Sequence, residues 1–323
     1  MQMKDRALIE DRYRSLLQKA VRRGNTELVY TTSALIESLD GRSAAWLETR
    51  TAVIMFAECW PLAAEMLFTK PFHSKVAALL RVAHCQKARD ATGLGFLAYA
   101  MDRGDDTVLA GVSDDKAVRL IAKAIRQPAD FWSWISEQPA EGRRNSLIEN
   151  AFRYREGGRP HDKAVVQAAA YLALTTPLPE IKPAPAPEGA FPYWVVFDRH
   201  TAEGKRVLRD VARDLHMPIA LLEWSLFYYE GAVANADAPS PWWQTYCRWH
   251  FERLGMPPAE AHLLWEPARE QIIDALAEDS QRLQSDLYRW KLGNLERIDS
   301  LKRQVELFAS HIKEVQQDQS TLF

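Results

Sequence analysis

Apolar residues recur every three or four positions along most of the chain, the spacing of helices that each bury one face. Over residues 5–22 they fall at Leu8, Tyr13, Leu16, Leu17 and Ala20, and Gly24 follows as a stop signal. The same period predicts helices over 27–39, 44–68, 75–89, 93–103, 114–126, 129–137, 143–154 and 164–174. Pro61 should kink or end the third of these, because its ring removes a backbone donor. Further helices are predicted over 202–215, 219–230, 241–254 and 258–265, then one long helix from about 267 to 315. Within the last, Ile298, Leu301, Val305, Phe308, Ile312 and Val315 step by 3, 4, 3, 4 and 3, a heptad seam that can dock on the body or on a second chain. Only 193–197 could form a short strand. The expected fold class is therefore all-α.

A shift in composition divides the pattern. Pro177, Pro179, Pro183, Pro185, Pro187 and Pro192 crowd one short stretch, which should be extended and semi-rigid. The expected organisation is a helical bundle or collar over 1–176, a proline-rich linker over 177–192 and an aromatic-rich helical domain over 193–300. The end of the long helix and a free tail occupy 301–323. Seven of the eleven tryptophans follow the linker, enough apolar bulk for a second core.

Charge narrows the function classes. Residues 1–178 hold 25 Lys+Arg against 21 Asp+Glu, and the remainder holds 16 against 22. Neither half is a basic body of the kind that grips duplex DNA, so any DNA contact is expected to be weak or indirect. No apolar run approaches the roughly 20 residues that span a bilayer, and the charged start lacks a signal-peptide core. Cys59, Cys85 and Cys247 show no close pairing and no zinc spacing, so buried thiols in a reducing cytoplasm are expected. No cofactor or metal is implied.

The strongest motif is Gln319, Ser320, Thr321, Leu322 and Phe323. It resembles the QxxLF pentapeptide by which bacterial polymerases and repair factors bind the β sliding clamp. Leu-Phe can fill a preformed apolar pocket while the glutamine supplies directional hydrogen bonds. The bland alternative is a chance match in a frayed tail. A second copy, Gln304-Val305-Glu306-Leu307-Phe308, shares residues with the heptad seam and is expected to stay helical.

The stretch from Trp46 to Glu58, with Arg50 before an aliphatic run and Glu58 after it, and the preceding Lys19-Ala20-Val21-Arg22-Arg23-Gly24, carry a second resemblance. Over residues 15–110 the chain resembles the helical region that follows the ATPase core in the RarA/MgsA branch of clamp-loader AAA+ proteins. The family's second acidic residue is Cys59 here, and Pro61 stands near its missing glycine. The resemblance implies a collar-like piece without the motor, since no G-x-x-x-x-G-K-[ST] loop occurs. Clamp-loader or other replisome subunits are its implied partners.

Two further clusters have a chemical and a plain reading. Asp198, His200 and Glu203 could hold a metal or act as acid and base in a hydrolase. Equally, Thr201 could cap a helix with Glu203 in its first turn. Trp242, Trp243, Tyr246 and Trp249, interleaved with Arg248 and Arg253, could stack on bases, but their helical spacing suits a core stripe better. Arg12, Arg14, Lys19, Arg22, Arg23, Lys75, Arg81, Lys87 and Arg89 are read as a solvated face. The expected protein is a non-enzymatic cytoplasmic replication or repair factor tethered to the clamp. A helical assembly protein that self-associates through 298–315 is the rival outside enzymology.

Overall fold

A computed structural model describes residues 3–39, 41–65, 71–184, 189–232, 238 and 240–320, with side chains except at 3–10, 41–44 and 311–320. Among the described residues the regular structure is helical, and β pairing is limited to two isolated bridges. No described helix is long and apolar enough to cross a membrane.

The first half runs α1 (Met3–Arg22), α2 (Thr26–Leu39), α3 (Gly41–Cys59), α4 (Phe72–Ala83), α5 (Asp90–Asp102), α6 (Asp115–Arg126), α7 (Pro128–Ser136), α8 (Gly142–Tyr154) and α9 (Pro160–Thr175). Gly24 adopts φ +66 just past α1, the left-handed turn that ends a helix. Pro61 acts as expected: α3 stops at Cys59 and Trp60–Glu65 tightens into a 3-10 turn. α5 is the central helix, and its small residues permit close crossings. A Cβ on Gly95 would lie 2.8 Å from the Val165 backbone of α9.

The second half holds α10 (Ala202–Asp214), α11 (Ile219–Ser225), α12 (Pro241–Arg253), α13 (Pro258–Ala275), α14 (Ala277–Leu292) and α15 (Leu295–Ser320), with a π-helical turn over Leu226–Gly231. The possible strand at 193–197 is instead a 3-10 turn over Tyr193–Val196. Trp194, Val195, Val196 and Phe197 are all buried there, so this unbroken apolar run is enclosed on every side without a partner strand. The single long helix expected over 267–315 is also corrected. Leu276 and Gly293-Asn294 divide that stretch among α13, α14 and α15. α13 packs on α10 and α11, whereas α15 packs on α2 and α4, and one straight helix cannot reach both. Pro267 sits within α13, where it leaves the Leu263 carbonyl without its N–H. Leu263 is 74% exposed, so water can serve that carbonyl.

The two halves share one continuous apolar cluster, from Leu16 and Phe56 to Trp243 and Phe251. The proline-rich segment begins as the extended chain its composition predicts. Gln86 N donates to Lys182 O at 2.9 Å and Ala184 N to His84 O at 2.9 Å. Trp243, Tyr246 and Trp249 are buried, so the aromatic stripe is core.

The heptad seam docks on the protein's own body through its described part. Ile298, Leu301 and Val305 are buried, and the Phe308 ring meets the His73 ring edge-on at 5.5 Å. Lys302 reaches Glu27 at 3.0 Å, and Arg297 reaches Glu37 at 3.4 Å. The second QxxLF copy is thus held in a helix, yet Leu307 is 72% exposed. Phe308→Ala should therefore cost roughly 1–2 kcal/mol, and Leu307→Ala within about 0.5 kcal/mol of nothing. Urea denaturation of the two variants checks this; equal losses would contradict the docking.

Candidate functional site

α1 contributes polar and basic side chains that point inward, against the expected solvated face. Lys19, Lys87 and Arg89 are buried. Each is matched. Lys87 Nζ donates to the carbonyls of Val82 and Cys85 at 2.6 and 2.7 Å. Arg22 and Arg89 both pair with Glu58, Arg89 at 3.0 Å, and Arg89 also donates to the Ala232 carbonyl. The two guanidinium groups hold the Glu58 carboxyl at about 2, overcoming the opposite pull of burial. Arg23 and Arg269 share Glu230. These pairs tie α1 and α3 to the segment between α11 and α12, an interior ion network across the two halves.

The same network accounts for the Asp198 segment. Lys19 Nζ lies 2.5 Å from Asp198 Oδ2, and Ser15 Oγ donates to the Val196 carbonyl at 3.0 Å. Asp198 Oδ1 accepts the His200 backbone N–H at 2.9 Å. Asp198 lies below the usual carboxylate range: burial pushes it up, but Lys19 and His200 outweigh that. Burial lowers His200, despite the nearby carboxylate. Thr201 caps α10, its hydroxyl accepting from Gly204 N at 3.1 Å. Glu203 in the first turn pairs with Arg12. The three candidate hydrolase residues therefore diverge: Asp198 turns to Lys19, Glu203 to Arg12, and His200 outward. No group of three or more His, Cys, Asp or Glu among the described residues is placed to hold a metal.

Arg50 and Glu58, which carry the collar resemblance, both lie in these pairs. Arg50 joins Gln18 of α1 at 3.0 Å to Asp162 of α9 at 3.3 Å. Asp162 also accepts the Arg159 N–H at 2.9 Å, fixing the start of α9. All three thiols are free and buried, as the sequence leads one to expect, and those of Cys59 and Cys85 are neighbours. Cys59 Sγ donates to the Gln86 carbonyl at 3.5 Å, beside Cys85. Their separation of 26 positions in sequence gave no sign of this, because a turn of extended chain beside the end of α3 brings them together.

An open cleft of about 590 Å³ lies between the start of α2, the chain leaving the proline-rich segment, and α14. Phe191, Tyr193 and Tyr288 line it, with the Lys291–Glu27 pair at 2.7 Å on its rim. Sequence periodicity gave no hint of it, since its walls come from three separate segments.

The candidate tail lies at the end of α15. The helix continues to Ser320, so Gln319 and Ser320 belong to its last turn, and their side chains lie outside the described residues. Thr321, Leu322 and Phe323 lie outside the described residues altogether, as do the side chains of Ile312 and Val315. Comparison with protein-family models, with curated proteins and with solved structures finds no match to the chain.

Proposed function

We propose that this protein is a non-enzymatic replication or repair adaptor that engages the β sliding clamp through Gln319, Ser320, Thr321, Leu322 and Phe323. The observation that carries the reading is that pentapeptide itself, with its glutamine and its paired Leu-Phe. The docking of α15 supports it. Ile298, Leu301 and Val305 fasten the helix to α2 and α4, and ten further residues, 309–318, separate Phe308 from the motif. At 1.5 Å per residue that is roughly 15 Å of helix between the anchored seam and the motif. Clamp peptides bind in extended form, so the last turn must open. Its final carbonyls have no intrahelical donors, which keeps the cost of opening low. The duplicate at 304–308 would have to break buried packing instead. The helical body, tied together by its interior ion pairs, serves on this reading to position another replisome component. Its likeness to the RarA/MgsA collar makes clamp-loader-type subunits the first partners to test.

Calorimetry with a purified β clamp tests the proposal. The intact chain should bind with a Kd on the order of micromolar, about 8 kcal/mol. Each apolar side chain contributes about 1.5–3 kcal/mol when buried. Leu322→Ala/Phe323→Ala should therefore weaken binding by about a hundredfold or more while leaving the thermal melt unchanged. Unchanged affinity in that variant, or no binding by the parent, would sink the reading.

A further inference from the structure

The walls of the open cleft beside the start of α2 are tied to one another. Lys291 of α14 reaches Glu27 of α2 at 2.7 Å, and both side chains line the cleft, so this ion pair bridges two walls and bounds the cleft at one end. Lys302 of α15 holds the same carboxylate at 3.0 Å. Burial raises the Glu27 carboxyl, but the two lysines outweigh that and keep it below its ordinary value. The third wall ends in the Tyr193–Val196 turn, which packs on α14. Among the described residues that line the cleft, Glu27 and Lys291 are the charged ones, and they neutralise each other.

The rest of the lining is aromatic, or carries amides and hydroxyls. Phe191 and Tyr193 meet edge-on at 5.3 Å, which braces both rings. Tyr288 stands on the α14 wall at 60% exposed, so its ring keeps apolar surface in water that a stacked ligand would cover. Gln284, exposed one turn before Tyr288, offers a donor and an acceptor together. Asn25 Oδ1 accepts from Leu28 N at 3.0 Å at the start of α2, which leaves its NH2 group as a donor. Thr31 also lines the cleft at 2% exposed, and its hydroxyl has no hydrogen-bond partner among the described residues. A helical threonine has two favoured χ1 rotamers, so this hydroxyl can turn to a ligand.

We propose that this cleft binds a nucleobase. Its volume of about 590 Å³ is that of a small-molecule site. Aromatic side chains stack on any base, because every base has a π-face. Amides and hydroxyls match the carbonyl, amino and ring-nitrogen groups along a base edge. The matched Glu27–Lys291 pair leaves no spare charge in the lining, which favours an uncharged ring. The same pair bounds one end, so a compact ring fits where a peptide running straight through does not. The base can belong to a free nucleoside or to single-stranded DNA. The proposal does not rest on clamp binding, and the substitutions that test it leave Gln319 to Phe323 intact.

The test uses the full chain, with the four deoxynucleosides, indole and a single-stranded oligonucleotide as probes, followed by saturation-transfer NMR and calorimetry. At least one deoxynucleoside should bind saturably. Indole, which has the ring without the polar edge of a base, should bind about tenfold more weakly. Tyr288→Ala should weaken deoxynucleoside binding by about tenfold or more, the usual loss of a stacking partner. Leu292→Ala is the control, because it is 51% exposed one turn further along α14 and does not line the cleft. Both positions are on the outside of α14, so Leu283 and Leu287 keep the helix docked, and thermal melts of the variants should match the parent. An oligonucleotide that binds more tightly than any deoxynucleoside, and is weakened by Tyr288→Ala, assigns the site to single-stranded DNA. One that binds no more tightly assigns it to the free nucleoside. The absence of saturable deoxynucleoside binding overturns the proposal, as does parent-like binding in Tyr288→Ala, an equal loss in Leu292→Ala, or indole that binds as well as the best deoxynucleoside.

Discussion

Glu58→Ala should destabilise the protein by about 3–5 kcal/mol, the usual result of removing one partner from a buried ion pair. Glu58 is 3% exposed and is the shared acceptor of Arg22 and Arg89. Arg22 lies over the Phe227 ring and Arg89 over Trp243, so both cations are committed to the junction between the halves. Without the carboxylate, both guanidinium groups lose the anion they share, and Arg89 does so where it is buried. For a chain of this length the loss corresponds to a fall in Tm of about 5 °C or more. Thermal melts of parent and variant check it, and a shift under about 1 °C would contradict the role given to Glu58.

The pH dependence has a definite sign. The Glu58 carboxyl sits at about 2 in the folded state against an ordinary value of 4.5. Its contribution is complete above 4.5 and is lost as pH falls through 4.5 towards 2, roughly 3 kcal/mol in all. Glu58→Gln should flatten that acid limb. His250, held at about 4 by burial, also loses stability on acidification, but earlier, between 6.5 and 4. Asp90, raised to about 6 by burial, acts in the opposite sense between 3.8 and 6. Those two partly cancel, so the acid limb belongs to the carboxyls held low in the fold, Glu58 together with Asp198 and Glu27, and Glu58→Gln removes the Glu58 share of it.

Gly93→Ala should cost about 3 kcal/mol or more, at the upper end for overpacking. A Cβ on Gly93 of α5 would collide with the Trp242 carbonyl and the Trp243 nitrogen at the start of α12. Those are backbone atoms, so no side-chain rotation relieves the clash. The crossing is fixed from both sides: Trp242 N donates to Asp90 Oδ1 at 2.8 Å, and Arg89 N to Ser240 Oγ at 3.1 Å. Gly111→Ala is the control, because its nearest neighbour would be the Arg248 side-chain tip at 3.7 Å. Denaturant unfolding should show a large loss for the first and less than about 1 kcal/mol for the second. Similar losses in both would mean that the α5–α12 crossing is not a close backbone contact.

The sequence by itself determined the features that act within one or two helical turns. Residues at helical spacing fixed which face of α6 and α10 is buried, Gly24 and Pro61 fixed where α1 and α3 end, and Thr201 fixed the cap of α10. Ile298, Leu301 and Val305 declared a buried seam before its partner was known. The pentapeptide at 319–323 is likewise a statement of sequence alone. Tertiary structure decided which groups meet. Glu58 finds Arg22 at a separation of 36 residues, Asp198 finds Lys19 at 179, and Glu203 finds Arg12 at 191. A charge carries no address in the sequence, because Coulomb attraction acts on whatever chain packing brings near it. The same holds for Gly93, whose missing side chain has meaning only once α12 crosses it. It holds for Cys59 and Cys85, and for the breaks at Leu276 and Gly293, which follow from the separate sites where α13 and α15 pack. Periodicity and caps are local because backbone hydrogen bonds and side-chain rows are local.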